Sequence, residues 1–232
     1  MVVTLAKLLS KLPRGGWALV RWLPARSAAL PTIAGPIWCD ISEVACYPLL
    51  KYGFYPHTTV EVEWMRQAAK AGDLVLDIGA NVGFTASIFA ATGARVVAFE
   101  PAPRAYRLLS KTAEGRFEAR NIALSDRPGS LRFSERESFD LSAVSPEGGI
   151  EVPATTIDAL DLAPTLIKID VEGHEPLILR GAVETLRRSR PTVMFEALSA
   201  DMLSECAAAL QEAVPGYQIS VLNDCNYVAR VA

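Results

Sequence analysis

A short apolar run that ends in an acid and breaks into glycines constrains this chain more than any other feature. The run is Leu74–Ile78, with Asp77 as its one charged residue, and it is followed by Gly79-Ala80-Asn81-Val82-Gly83 and an apolar segment of helical spacing. Such a run suits a strand buried on both faces. Glycines placed after it let the backbone turn tightly and approach a ligand closely. Strand, glycine turn and helix together make a nucleotide-binding unit.

The glycine spacing narrows the ligand. A dinucleotide fingerprint needs glycine at the first, third and sixth positions of the turn; here those positions hold Gly79, Asn81 and Phe84. Small residues at the first, third and fifth positions suit S-adenosylmethionine instead, and Gly79, Asn81 and Gly83 stand there. Asp77 is placed to orient the loop or reach the amino-acid part of that cationic cofactor. Glu100 closes the next apolar run, Arg95–Phe99, where a carboxylate can accept both ribose hydroxyls.

The surrounding pattern alternates strands and helices, which implies a mostly parallel sheet. Helices are expected at Val60–Ala71, Gly83–Ala91, Pro103–Ala113, Glu175–Arg188 and Asp201–Ala213. Further strands are expected at Phe117–Ala123, Ser130–Phe133, Leu166–Asp170 and Thr192–Glu196, with a loop at Phe139–Gly149. Tyr217–Leu222 and Tyr227–Val231 form a closing hairpin about Asn223-Asp224-Cys225-Asn226. The fold class is therefore α/β and Rossmann-like: a mostly parallel seven-stranded sheet with a C-terminal antiparallel hairpin. Residues 1–58 are read as a helical or irregular extension, and 59–232 as the catalytic domain.

A second informative stretch is Leu166-Ile167-Lys168-Ile169-Asp170-Val171-Glu172-Gly173-His174-Glu175. Strand alternation puts Lys168, Asp170 and Glu172 on one face. Three charges on a central strand must line a cleft or pair with neighbours, Glu196 among them. Asp170, Glu172 and His174 are the candidates for catalysis, with Glu172 or His174 as a base toward a hydroxyl. Asp170 and His174 are alternatively ligands to a divalent metal, which the sequence does not specifically indicate. A structural ion-pair network, with His174 merely starting a helix, is the third option.

Composition sets limits. The net charge of −3 argues against nucleic acid as a partner. Residues 1–39 carry five bases and no acid, which leaves −8 on the remainder. Residues 1–26 are basic and weakly amphipathic. They suit a lid or packed helix, or contact with an anionic membrane surface, and are too short and broken to span a bilayer. Cys39, Cys46, Cys206 and Cys225 show no Cys-x-x-Cys spacing and fit a reducing compartment, so a cytoplasmic location is expected, peripheral at the membrane if residues 1–26 dock there.

The chain resembles the FkbM family of methyltransferases. The resemblance runs through Val75–Gly83, Ala98–Pro103, Asn121–Asp126, Val152–Asp158, Ile167–Glu175 and Leu177–Gly181 with Arg190-Pro191, in the family's order over residues 60–200. It implies S-adenosylmethionine-dependent O-methylation of a small molecule, sugar, glycolipid or polyketide hydroxyl. By position it implies cofactor contacts at Gly79, Asn81, Gly83 and Glu100, with Ala123, Leu124 and Ser125 near the adenine. Two alternatives stand beside this reading. A nicotinamide-dependent oxidoreductase is disfavoured by the glycine mismatch and the closing hairpin. A non-catalytic cofactor-binding module is disfavoured by the intact Asp170, Glu172 and His174.

Overall fold

The computed structural model describes residues 27–41, 43–134, 143–145 and 147–231. The expected amphipathic segment at 1–26 lies outside them, as do residues 139–142 and 146 of the expected loop at Phe139–Gly149, whose described part includes a short strand at Ala143–Val144. The described elements begin with β1 (Ser27–Thr32), β2 (Gly35–Asp40), α1 (Tyr47–Tyr52), α2 (Thr59–Ala68), β3 (Leu74–Ile78), α3 (Phe84–Ala90), β4 (Arg95–Phe99) and α4 (Pro103–Ala113). Then come β5 (Glu118–Arg120), β6 (Ala123–Leu124), β7 (Gly129–Ser134), β8 (Ala143–Val144), β9 (Ile150–Thr155) and β10 (Leu166–Ile169). The chain closes with α5 (Glu175–Arg180), α6 (Val183–Ser189), β11 (Thr192–Glu196), α7 (Ala200–Ala213), β12 (Tyr217–Val221) and β13 (Asn226–Val231).

The main sheet has seven strands in the order β12-β13-β11-β10-β3-β4-β5. Neighbours from β11 to β5 pair in parallel, and β13 runs antiparallel to both β11 and β12. The Rossmann-like, mostly parallel seven-stranded sheet with an antiparallel closing hairpin expected from the sequence is thus present. Its central strands β3, β4, β10 and β11 are mostly apolar because both faces are covered. Val75, Val96 and Leu166 pack with Val62 and Met65 of α2, Ile88 and Phe89 of α3 and Leu109 of α4. Their strand neighbours Leu76, Val97 and Ile167 face the other way, onto Ile178, Leu186 and Leu210 of α5, α6 and α7. After β3 the chain builds β4 and β5 on one side, then returns to place β10 on the other. Ligand crevices open at such a reversal, at the strands' carboxyl ends.

Three expectations change. The run Phe117–Ala123 is two strands: β5 completes the main sheet, whereas β6 pairs in parallel with β9 in a separate four-stranded sheet. Asn121 breaks the run, donating through Nδ2 to the carbonyls of Glu100 (2.8 Å) and Pro101 (3.0 Å). The helix expected over Glu175–Arg188 is divided into α5 and α6 at Gly181. A Cβ at Gly181 would lie 2.0 Å from the Ser125 carbonyl oxygen, so the two backbones touch there. Asp158 then starts α6 by accepting from the amides of Glu184 (3.1 Å) and Thr185 (2.7 Å). Finally, residues 27–40 of the expected extension form an antiparallel hairpin fastened to the domain. The Trp38 amide donates to Thr112 Oγ1 (2.9 Å), and the Arg116 guanidinium donates to the Ala34 and Pro36 carbonyls.

Candidate active site

A cavity of about 690 Å³ opens at the carboxyl ends of β3, β4, β10 and β11, within the size range of small-molecule sites. One wall is the glycine turn, Gly79 to Val82, with Glu100 beside it. Gly79 (φ +80°) and Asn81 (φ +51°) are both left-handed, so the turn is built from conformations that side chains resist. Gly79 also lies against the next strand, because a Cβ there would meet the Asp170 carbonyl oxygen at 1.8 Å.

Glu100 fixes the turn. It is 7% exposed; Oε2 accepts from the Asn81 amide (2.9 Å) and Oε1 from the Ala102 amide (2.8 Å). Burial pushes its carboxyl up to about 7, against the lowering effect of those two amides. Each oxygen keeps a lone pair for a ligand hydroxyl. Asn81 Oδ1 is buried without a hydrogen-bond partner, an acceptor in the turn left to be satisfied from the cavity. Ile122, Ala123, Leu124 and Ile178 give an apolar flank. Vicinal-hydroxyl recognition, a free acceptor and an apolar slot fit a nucleoside that carries an ammonium group.

Gly79, Asn81, Glu100, Ala123 and Leu124 therefore line the cavity as the sequence implied. Asp77, Gly83 and Ser125 do not. Asp77 is fully buried behind the turn, where its Oδ2 accepts from Thr85 Oγ1 at 2.6 Å. Gly83 (φ +92°) is required by packing: a Cβ would stand 2.8 Å from Leu109 Cδ1 and 3.1 Å from Thr112 Cγ2 on α4. Ser125 is buried, and its Oγ lies 2.9 Å from His174 Nε2.

Lys168 holds the second wall. Its Nζ is 3.3 Å from Asp77 Oδ1, 3.2 Å from Asp170 Oδ2 and 3.3 Å from the Gly79 carbonyl. Burial pulls this ammonium down, but Asp170 and Asp77 more than reverse that, so it stays charged. The pairing expected of Lys168 and Asp170 is present. Glu172 does not continue the alternation, because the strand ends at Ile169 and Glu172 is exposed in a left-handed turn (φ +58°). Glu175, fully buried, ties that turn by accepting from the amides of Val171 (3.0 Å) and Gly173 (3.1 Å).

Carboxylate oxygens of Asp170, Glu172 and Glu196 all lie within 4.8 Å of one another; His174 is not part of this group. Burial, then the charges of Asp170 and Glu172, push Glu196 up to about 7. His174 lines the cavity too, with burial lowering its imidazole and Nε2 engaged by Ser125. The sequence reading treated Glu196 only as a partner; the structure gives it the better-tuned position. It also missed Tyr55, His57 and Glu61, from just before and within α2, and Asn223 to Asn226 from the closing hairpin, which line the same cavity. The polar turn composition at 223–226 was visible, but nothing local marks it as facing a cavity.

Comparison with known proteins decides the family. The profile of the Methyltransferase FkbM domain matches residues 77–227, well over half of the chain. The chain belongs to this family. Hexuronic acid methyltransferase AglP of Haloferax volcanii is 29% identical to the FkbM-family chain over 136 residues, 54% of this chain and 56% of AglP. Methyltransferase FkbM from Methylobacillus flagellatus superposes with a TM-score of 0.54 at 20% identity, covering 79% of this chain and 53% of that one. The chain thus spans little more than half the length of these relatives. Trm5b from Pyrococcus abyssi shares the fold at a TM-score of 0.52 and 13% identity, over 89% of this chain and 56% of its own. Among the described residues no helix is long and apolar enough to cross a membrane.

Proposed function

We propose that this FkbM-family chain binds S-adenosylmethionine and transfers its methyl group to a hydroxyl oxygen. The observation that carries the reading is Glu100: a buried carboxylate, locked by two backbone amides beside a left-handed glycine turn, with lone pairs left for vicinal hydroxyls. Gly79, Asn81 and Glu100 would hold the amino-acid and ribose parts, with Ile122, Ala123, Leu124 and Ile178 flanking the base. When bound, the cofactor supplies a methyl carbon on positively charged sulfur.

The protein's own groups serve the acceptor. A hydroxyl must lose its proton as its oxygen is alkylated, and a base near neutrality is best matched to that task. Glu196, pushed up to about 7 and grouped with Asp170 and Glu172, is that base. Asp170 is paired with Lys168 at 3.2 Å on the same edge. His174 orients the apolar flank through Ser125 and is not the base. The name of AglP, a sugar-acid methyltransferase, supports a sugar-like acceptor.

Isothermal titration tests the cofactor. S-adenosylmethionine and S-adenosylhomocysteine bind, and Glu100→Ala weakens both by about 1–3 kcal/mol, the scale for unpaired hydrogen-bonding groups. Binding of NAD in their place would overturn the reading.

A further inference from the structure

Glu61 is a buried acid that the transfer chemistry above does not use. It sits in the first turn of α2 and lines the cavity. It is 6% exposed. Its Oε1 accepts from Asn223 Nδ2 (2.6 Å) and Asn226 Nδ2 (3.4 Å), which belong to the turn between β12 and β13. Asn223 is oriented for this, since its own Oδ1 accepts from the amides of Cys225 (3.3 Å) and Asn226 (2.8 Å). Glu61 Oε2 has no partner at all. A carboxylate taken out of water with one oxygen anchored and the other unsatisfied is costly, and such a group calls for a donor arriving from outside.

The charge of this cavity is lopsided. Glu61, Glu100, Asp170, Glu172, Glu196 and Asp224 line it, and among its described lining residues Lys168 is the one lysine or arginine. Lys168 is already held between Asp77 and Asp170. An acceptor bearing a carboxylate would enter against like charges with no unengaged lysine or arginine among the described lining residues to meet it. An acceptor bearing several hydroxyls would bring the donor that Glu61 Oε2 lacks among the described residues.

We propose that Glu61 is the residue that selects the acceptor, and that it selects an uncharged polyhydroxyl compound over a carboxylate-bearing one. The proposal rests on the methyltransferase reading of the same site. Glu61 accepts a hydrogen bond from a hydroxyl next to the one that reacts, while the Asn223–Asn226 turn keeps its carboxylate in place. The selecting wall is thereby made from α2 and the closing hairpin.

The test uses the full chain and labelled S-adenosylmethionine, with aryl glycosides of neutral hexoses paired against the matching hexuronides, with and without magnesium. Cofactor binding is titrated first, so that failure of the methyltransferase reading shows as absent binding. Given binding, methyl transfer to neutral glycosides at least tenfold faster in kcat/KM than to hexuronides supports the proposal. Glu61→Gln, which puts a donor where an acceptor is needed, then raises KM for the glycoside about tenfold, leaves cofactor affinity unchanged and narrows the gap to the hexuronide. Equal or faster transfer to hexuronides overturns it, as does hexuronide transfer that appears only with magnesium, because a bound cation would then reverse the local charge. Binding of cofactor with no transfer to any neutral glycoside overturns it as well. Should Glu61→Gln fail to fold, the ranking of acceptors by the unaltered protein decides alone.

Discussion

Replacing Lys168 by methionine should cost more stability than any other single change to the site. The ammonium is 4% exposed and satisfies Asp77, whose side chain is fully buried. Asp77 Oδ2 keeps the Thr85 hydroxyl, but Oδ1 has no hydrogen bond and relies on Lys168. The other partner, Asp170, is 42% exposed and stays hydrated when the lysine is gone. The penalty is therefore Asp77's. Removing one member of a buried pair costs about 3–5 kcal/mol, because the charge left behind is uncompensated, and that is a large part of the ~5–15 kcal/mol that holds a domain together. Asp77→Asn in the same chain removes the stranded charge, leaving about 1–3 kcal/mol for imperfect hydrogen bonding. Asp170→Asn alone should cost about 0–1 kcal/mol, as an exposed pair does. Urea unfolding followed by circular dichroism gives all four values, with equal m-values required for the comparison. The reasoning fails if Lys168→Met costs under 1 kcal/mol, or if adding Asp77→Asn recovers nothing.

Three further outcomes follow from the same geometry. Methyl transfer should rise with pH through about 7 as Glu196 loses its proton, and Glu196→Gln should abolish that limb in a pH–rate profile; an unchanged profile assigns the base elsewhere. The raised carboxyls of Glu196 and Glu100 also favour the folded state most below their ordinary range near 4.5, a contribution that fades as pH climbs to about 7. Gly79→Ala should remove cofactor binding and lower the melting temperature sharply, since its Cβ would overlap the Asp170 carbonyl oxygen. Gly72→Ala, with nothing within 4 Å, should lose only the ~1–2 kcal/mol of its left-handed backbone, and equal losses at the two positions would refute the contact argument.

The sheet was readable because its requirement is local. Strands covered on both faces need unbroken apolar runs, and Leu74–Ile78, Arg95–Phe99 and Thr192–Glu196 fall where those runs stand. What broke the pattern came from elsewhere in the chain. Asn121 reaches back twenty residues to interrupt a strand, and Gly181 ends a helix because the Ser125 backbone lies on it. The hairpin at 27–40 depends on Thr112 and Arg116 of another element, so its own weak periodicity did not reveal it. The site divides the same way. Gly79 and Gly83 look alike in sequence, yet one turns beside the cavity against β10 and the other relieves contact with α4. Spacing reports that a backbone needs room; it does not say whether a ligand or a leucine fills it.

The acids at the carboxyl edge show why the chemistry is set by environment and not by residue type. Asp170, Glu172 and Glu196 bring their oxygens within 4.8 Å of one another, a separation at which three charges oppose each other strongly. The fold resolves this by giving each a different surrounding. Lys168 pairs with Asp170, solvent reaches Glu172, and Glu196 is left half-buried beside two acidic neighbours, accepting from the Cys225 thiol at 3.5 Å. Neighbouring carboxyls driven apart in this way divide acid–base work between them. Lys168 thus does two things with one charge. It pairs with the acid behind the glycine turn, and it pairs with Asp170, the neighbour that adds to the effect of burial in raising Glu196. Removing the proton from an acceptor hydroxyl and holding the cofactor turn in shape are tied through that single buried ammonium.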